Sequence, residues 1–252
     1  MLDIVQIPVL NDNYIYLVHE PSSNMTAVID PALSEPVLDE ANRRGWKITH
    51  IFNTHHHGDH VGGNMEIQSH TNCEIVGNRN DQARIPGLTR GVEEAEIVAL
   101  GSVEFRIMDV PGHTVGHIAY YAAAADVLFC GDTVFAMGCG RLFEGTPAQM
   151  WDSIQKIITL PPETQLYCGH EYTEANGKFA LTIEPKNADL IARVNEVKHV
   201  RRDNMPTIPT QLSVELKTNP FLRAELPSVA SEMGTQSGQD TFARIRYLKD
   251  IF

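Results

Sequence analysis

The chain has 252 residues, 42% of them hydrophobic and 21% charged, and a formal net charge of −12. That length buries a full core and admits one large domain or two smaller ones, while the acidic balance argues against a nucleic-acid partner, whose phosphates need a basic footprint. No segment approaches the roughly 20 apolar residues of a membrane helix, and the start, Met1 to Pro8, lacks the basic and apolar regions of a secretory signal. The cysteines, Cys73, Cys130, Cys139 and Cys168, form no C-x-x-C pair. Reduced, buried thiols in a cytoplasmic protein are expected.

In chain order, Asp3 to Val9 and Tyr14 to His19 read as a hairpin around Asn11-Asp12-Asn13, and Met25 to Ile29 as a third strand ending in Asp30-Pro31. Ser34 is expected to cap a helix with Val37, Leu38 and Ala41 on one face and Gly45 as its stop. The apolar run Ile48 to Phe52 then feeds Thr54-His55-His56-His57-Gly58-Asp59-His60. In an extended segment residues i and i+2 point the same way, so His55 and His57 can grip one ion while His56 faces elsewhere. Gly58 permits a sharp turn that would swing Asp59 and His60 toward a second ion.

The same grammar recurs downstream. Val103 to Val110 leads to His113, Val127 to Cys130 leads to Asp132, and Gln165 to Cys168 leads to His170, each strand stopping just before a ligand type. Strand ends that converge define a site in layered α/β folds. Between them, Thr146-Pro147-Ala148-Gln149 starts a capped helix whose Met150, Trp151, Ile154, Ile157 and Ile158 form an apolar core stripe. No dinucleotide, phosphate-loop or nucleophile-elbow motif is found. Beyond Tyr172 the pattern turns helical, with Leu190, Ile191, Val194 and Val197 on one helix and Asp240 to Phe252 on another. The expected domains are residues 1–173, carrying the ligands, and residues 174–252, a smaller helical unit.

One arrangement uses every ligand: His55, His57 and His113 on one metal, Asp59, His60 and His170 on the other, with Asp132 bridging. Two ions roughly 3.5 to 4 Å apart lower the pKa of a shared water to about 7, so the natural chemistry is hydrolysis. Zinc is expected, with iron or manganese acceptable to the same donors. His19, His50, His56, His70, His117 and His199 are assigned no ligand role, and Cys130 and Cys168 are read as buried apolar groups.

At these residues the sequence resembles the metallo-β-lactamase-fold hydrolases, whose signature T-H-x-H-x-D-H is followed by separate His, Asp and His ligands. Within them it is similar to the hydroxyacylglutathione hydrolases, the glyoxalase II family. The pointers are Gly131 to Phe135, Gly138 to Arg141, Gly169 to Thr173 and Arg246 to Asp250. The resemblance implies an α+β chain: an αββα sandwich followed by a C-terminal helical domain. It implies a monomer acting on a glutathione thioester, S-D-lactoylglutathione foremost, in the second step of methylglyoxal detoxification. Asp59 and Asp132 would be catalytic, and Arg141, Tyr172, Arg246 and Lys249 would hold the glutathione part. Arg246 and Lys249, three apart on a helix, share a face. Where many members carry a Tyr two residues after the position of Arg141, this chain has Phe143, so a phenolic contact is absent. The rivals are a mononuclear-iron glutathione persulfide dioxygenase and another hydrolase of the same fold.

Overall fold

The computed structural model of the chain describes residues 2–252. Backbone proximity divides it into two compact units, Met1–Asp109 with Gly116–Gly131, and Val110–Val115 with Asp132–Phe252.

In the first unit, β1 (Asp3–Val9) and β2 (Asn13–Glu20) form the expected hairpin, and β3 (Met25–Ile29) follows antiparallel. The helix α1 (Glu35–Arg44) crosses to β4 (Ile48–Phe52), which lies parallel to β3. Two short helices, α2 (Gly58–Val61) and α3 (Asn64–Thr71), lead to β5 (Glu74–Asn78) and then β6 (Arg90–Val92), which complete a sheet in the order β1-β2-β3-β4-β5-β6. The strands β7 (Ile97–Leu100), β8 (Val103–Asp109), β9 (Ile118–Ala122) and β10 (Val127–Gly131) run antiparallel in a second sheet, in the order β10-β9-β8-β7.

Side-chain alternation explains how these layers pack. On β2, Ile15 and Leu17 join Val37, Ala41 and Ile67 in the core under α1 and α3, whereas Tyr16 meets Phe129 of β10 with ring centroids 5.6 Å apart. On β4, Ile51 faces the same helices, while Phe52 stacks on Tyr120 at 4.8 Å and meets Phe105 edge-on at 5.5 Å. Around these residues the first sheet is apolar on both faces, and its candidate ligands lie past the strand ends. Gly45 closes α1 in the left-handed conformation as expected. Ser34 does not cap it: its backbone is already helical, and its hydroxyl donates to Glu66 instead.

In the second unit, β11 (Val134–Phe135) and β12 (Gly138–Cys139) form a small hairpin. The helix α4 (Pro147–Ile158) opens on a reciprocal capping box between Thr146 and Gln149, and its stripe Met150, Trp151, Ile154 and Ile157 is buried. Next come β13 (Gln165–Cys168), α5 (Thr173–Ile183), α6 (Ala188–Arg202), β14 (Thr210–Gln211), α7 (Leu212–Thr218), α8 (Pro227–Met233) and α9 (Gly238–Asp250), with β14 antiparallel to β13. Phe179, Phe221 and Phe242 link α5, the segment after α7 and α9 through ring contacts of 6.2 and 5.7 Å. On α6, Leu190, Val194 and Val197 are buried but Ile191 is 40% exposed. A helix turns about 100° per residue, which carries Ile191 off the face that its neighbour Leu190 shares with Val194. No helix among the described residues is long and apolar enough to cross a membrane.

Candidate metal centre

The first unit presents the histidine loop directly past β4. His55 and His57 point the same way, as the extended spacing predicts, with His55 Nε2 3.0 Å from His57 Nδ1. His56 turns aside, its Nδ1 3.3 Å from the buried carboxylate of Asp81. Gly58 does not make the expected sharp turn. It begins α2, and that single helical turn carries Asp59 and His60, whose Nε2 lies 3.6 Å from Asp59 Oδ2. Asn13 orients Asp59 by donating to Oδ2 at 2.9 Å.

Beneath the loop sits a residue that the sequence reading passed over. Asp30, buried and held at φ 49°, accepts from the Thr54 N–H and the Thr54 hydroxyl, each at 2.7 Å, and lies 3.0 Å from His60 Nδ1. That contact turns His60 Nε2 toward Asp59. Ligand-capable atoms of Asp30, His55 and His60 all lie within 4.8 Å of one another. Two carboxylate oxygens already serve three donors, so Asp30 acts as the orienting partner that ligating imidazoles ordinarily require. The signal was available, since Asp30 stands just past the end of β3 as the other ligand types stand past theirs. His117, assigned no ligand role from the sequence, is fully buried and stacks on His55 at 4.7 Å. Gly131 makes room for both: with φ +48°, a Cβ there would sit 2.3 Å from Thr54 Oγ1 and 2.8 Å from the His117 ring.

The second unit brings His113, Asp132 and His170 together. Nε2 of His113 and Nε2 of His170 each lie 3.4 Å from the same oxygen, Asp132 Oδ2, and all three residues are buried. His113 Nδ1 donates to the Arg141 carbonyl at 2.7 Å, which commits Nε2 to the carboxylate side. His170 is stacked on Tyr172 at 4.8 Å, and Phe135 abuts that pair edge-on. Buried imidazoles with one nitrogen fixed and the other aimed at a carboxylate are the donor chemistry of a divalent transition-metal site, so these residues fit the group.

Of the residues expected to hold glutathione, Arg141 is largely exposed, its Nε 3.6 Å from Asp250 Oδ1. Lys249 is half-buried, with Nζ over the rings of Phe179 and Phe252 at 5.1 and 5.4 Å. Burial, and next the Arg246 charge, hold its ammonium below the usual lysine range. Arg246, expected to share a face with Lys249, is turned inward: it is only 4% exposed, donates to the Cys139 carbonyl at 2.8 Å and pairs with Asp250 at 3.0 Å. Phe143 is exposed and meets His113 edge-on at 5.2 Å. All four cysteines are buried free thiols, and burial pushes Cys139 up to about 11.

Residues 10–170 match the family described as the Metallo-beta-lactamase superfamily, and residues 171–252 match the Hydroxyacylglutathione hydrolase C-terminus. The chain is 52% identical to the hydroxyacylglutathione hydrolase of Methylococcus capsulatus over 100% of its own length and 99% of the relative's. It is 53% identical to that of Rhodospirillum rubrum, with the same coverage. Among solved structures, ETHE1 from Myxococcus xanthus superposes with a TM-score of 0.72 at 23% identity, covering 97% of this chain and 90% of that one. TTHA1623 in a di-iron-bound form gives 0.63 at 24%, covering 87% and 100%. Both structures share the metallo-β-lactamase fold, here followed by a helical C-terminal region. With its ligand types past successive strand ends and both regions matched in order, the chain belongs to the metallo-β-lactamase superfamily and, within it, to the hydroxyacylglutathione hydrolases.

Proposed function

We propose that the protein hydrolyses the thioester of S-(2-hydroxyacyl)glutathiones, S-D-lactoylglutathione foremost, to glutathione and the 2-hydroxy acid, D-lactate in that case. This is the second step of methylglyoxal detoxification. The observation that carries it is the end-to-end match, at about half identity, to enzymes so named, with residues 171–252 matching the C-terminal region that defines them. The same succession of matches supports a division into a metal-binding part, residues 1–173, and a substrate-binding part, residues 174–252. The buried, unbridged thiols suit a reducing cytoplasm, and the chain is read as a monomer.

His55, His57 and His113 would hold one divalent ion and Asp59, His60 and His170 the other, with Asp132 shared; zinc is the first choice and iron or manganese fit the same donors. Two such ions supply a water activated near neutral pH and a Lewis acid for the thioester carbonyl. The chain's own work is orientation. Asp59, fixed by Asn13, aims the attacking water, and Asp30 and the Arg141 carbonyl fix the imidazoles of His60 and His113. The leaving thiol, with a pKa of about 8.5, departs as thiolate without a strong general acid. No residue of the set has to act as one.

Arg141, Tyr172, Lys249 and Arg246 are assigned to glutathione, the first three from exposed or half-buried positions and Arg246 through the carbonyl and carboxylate it holds. Lys249→Ala is expected to raise KM for S-D-lactoylglutathione about tenfold with kcat within twofold, because a remote clamp supplies uniform binding. Since the Lys249 ammonium is depressed, wild-type KM should also climb on the alkaline side earlier than an ordinary lysine would allow. A loss confined to kcat would contradict the assignment. Oxygen uptake with glutathione persulfide, without thioester hydrolysis, would move the reading to the dioxygenase.

A further inference from the structure

The segment from Asp132 to Arg141 carries one metal residue at its start and, at its end, the carbonyl that orients another. In between, its backbone is secured almost group by group by side chains of the C-terminal helices. Asn219 Nδ2 donates to the carbonyls of Phe135 and Gly138 at 3.1 and 2.9 Å. Asn176 Nδ2 donates to the Ala136 carbonyl at 3.1 Å, and Arg246 to that of Cys139. The N–H of Met137 goes to Glu215 Oε2 at 2.7 Å, although Met137 sits at φ 54°, where a side chain is disfavoured. Glu215 is itself fully buried and braced by Thr210 and Asn219 at 2.7 and 3.0 Å.

Met137 packs in a core cluster with Ala180, Leu190 and Val194, but apolar packing alone does not fix the backbone groups of the turn, and a two-residue hairpin is marginal by itself. Its return path is fixed just as tightly. Gly140 N–H donates to the Thr133 carbonyl at 3.2 Å, and a Cβ on Gly140 would fall 1.9 Å from the Asp132 carbonyl oxygen. The two ends of the segment are therefore locked together, so a shift of the turn is passed to Asp132 and to the Arg141 carbonyl behind His113.

We propose that Glu215 and Asn219 are positioning residues of the metal centre: through the 135–139 turn they set Asp132 and the Arg141 carbonyl that orients His113. The C-terminal helices then serve metal binding as well as substrate binding. This rests on the reading of Asp132 and His113 as ligands.

The test uses zinc alone, titrated against a chromophoric chelator into metal-stripped full-length protein, with circular dichroism to verify folding and cobalt spectra recorded on the same variants. Asn219→Leu, which keeps the volume and removes the donors, is expected to weaken at least one zinc site about tenfold or more, the range for partners behind metal ligands, and to alter the cobalt absorption bands. Glu215→Leu should do the same and Glu215→Gln, which can still accept from Met137 and donate to Thr210, should restore both. If Asn219→Leu does not fold, Asn176→Leu, which removes a single bond to the turn, is expected to give a smaller loss in the same direction. A folded Asn219→Leu or Asn176→Leu with wild-type zinc affinity and cobalt spectrum overturns the proposal. A wild-type chain that binds no zinc would instead overturn the ligand reading beneath it.

Discussion

Asp132→Ala is expected to lower turnover of S-D-lactoylglutathione about a thousandfold, equivalent to about 4 kcal/mol of barrier, and to release metal from a protein that remains folded. One carboxylate oxygen stands 3.4 Å from Nε2 of both His113 and His170. Truncation removes the anion that both rings face. The backbone of residues 132–141 is fixed independently by Asn219, Glu215, Asn176 and Arg246, which is why the fold should survive the loss. Elemental analysis and kcat on one sample decide the matter. Turnover within tenfold of wild type at unchanged metal content would show that Asp132 is not a shared ligand.

The second large effect is expected at a residue that touches no substrate. Asp30→Ala takes away the acceptor of the Thr54 N–H, the Thr54 hydroxyl and the His60 imidazole together. Metal affinity should fall about a hundredfold, the upper range for partners behind metal ligands. Each buried donor left without a partner costs about 1–3 kcal/mol, so the urea midpoint should drop as well. Asp30→Asn keeps one acceptor but turns an amide toward a donor, and should lie between. Equal losses for the two variants would mean that charge, rather than geometry, is what Asp30 contributes.

The comparison of residues and structure shows where local pattern is sufficient. The hairpin of β1 and β2, the strand Ile48–Phe52 and the capped start of α4 were legible because each is decided by neighbours within a few residues. The seven candidate ligands stand out in the sequence because they follow strand ends, and the pairing of His55 with His57 follows from the two-residue period of extended chain. What local pattern could not show is how a long-range partner redirects a group. Ser34 has the composition of a cap but gives its hydroxyl to Glu66, 32 residues away. Gly58 looks like a turn, yet the residues around it continue into a helix. Arg246 reads as sharing a substrate-binding face with Lys249, and is drawn inward by a carbonyl 107 residues earlier in the chain. The ties from Asn219 and Glu215 were invisible for the same reason, since they exist only once distant segments meet.

The most direct test of the account is hydrolysis of S-D-lactoylglutathione by the purified protein, before and after chelation and after zinc is restored, with metals per chain counted on each sample. The account predicts rapid turnover with close to two metals, loss on chelation, and recovery with zinc. Turnover that persists in metal-free protein, or a chain that carries two metals and leaves the thioester intact, would contradict it.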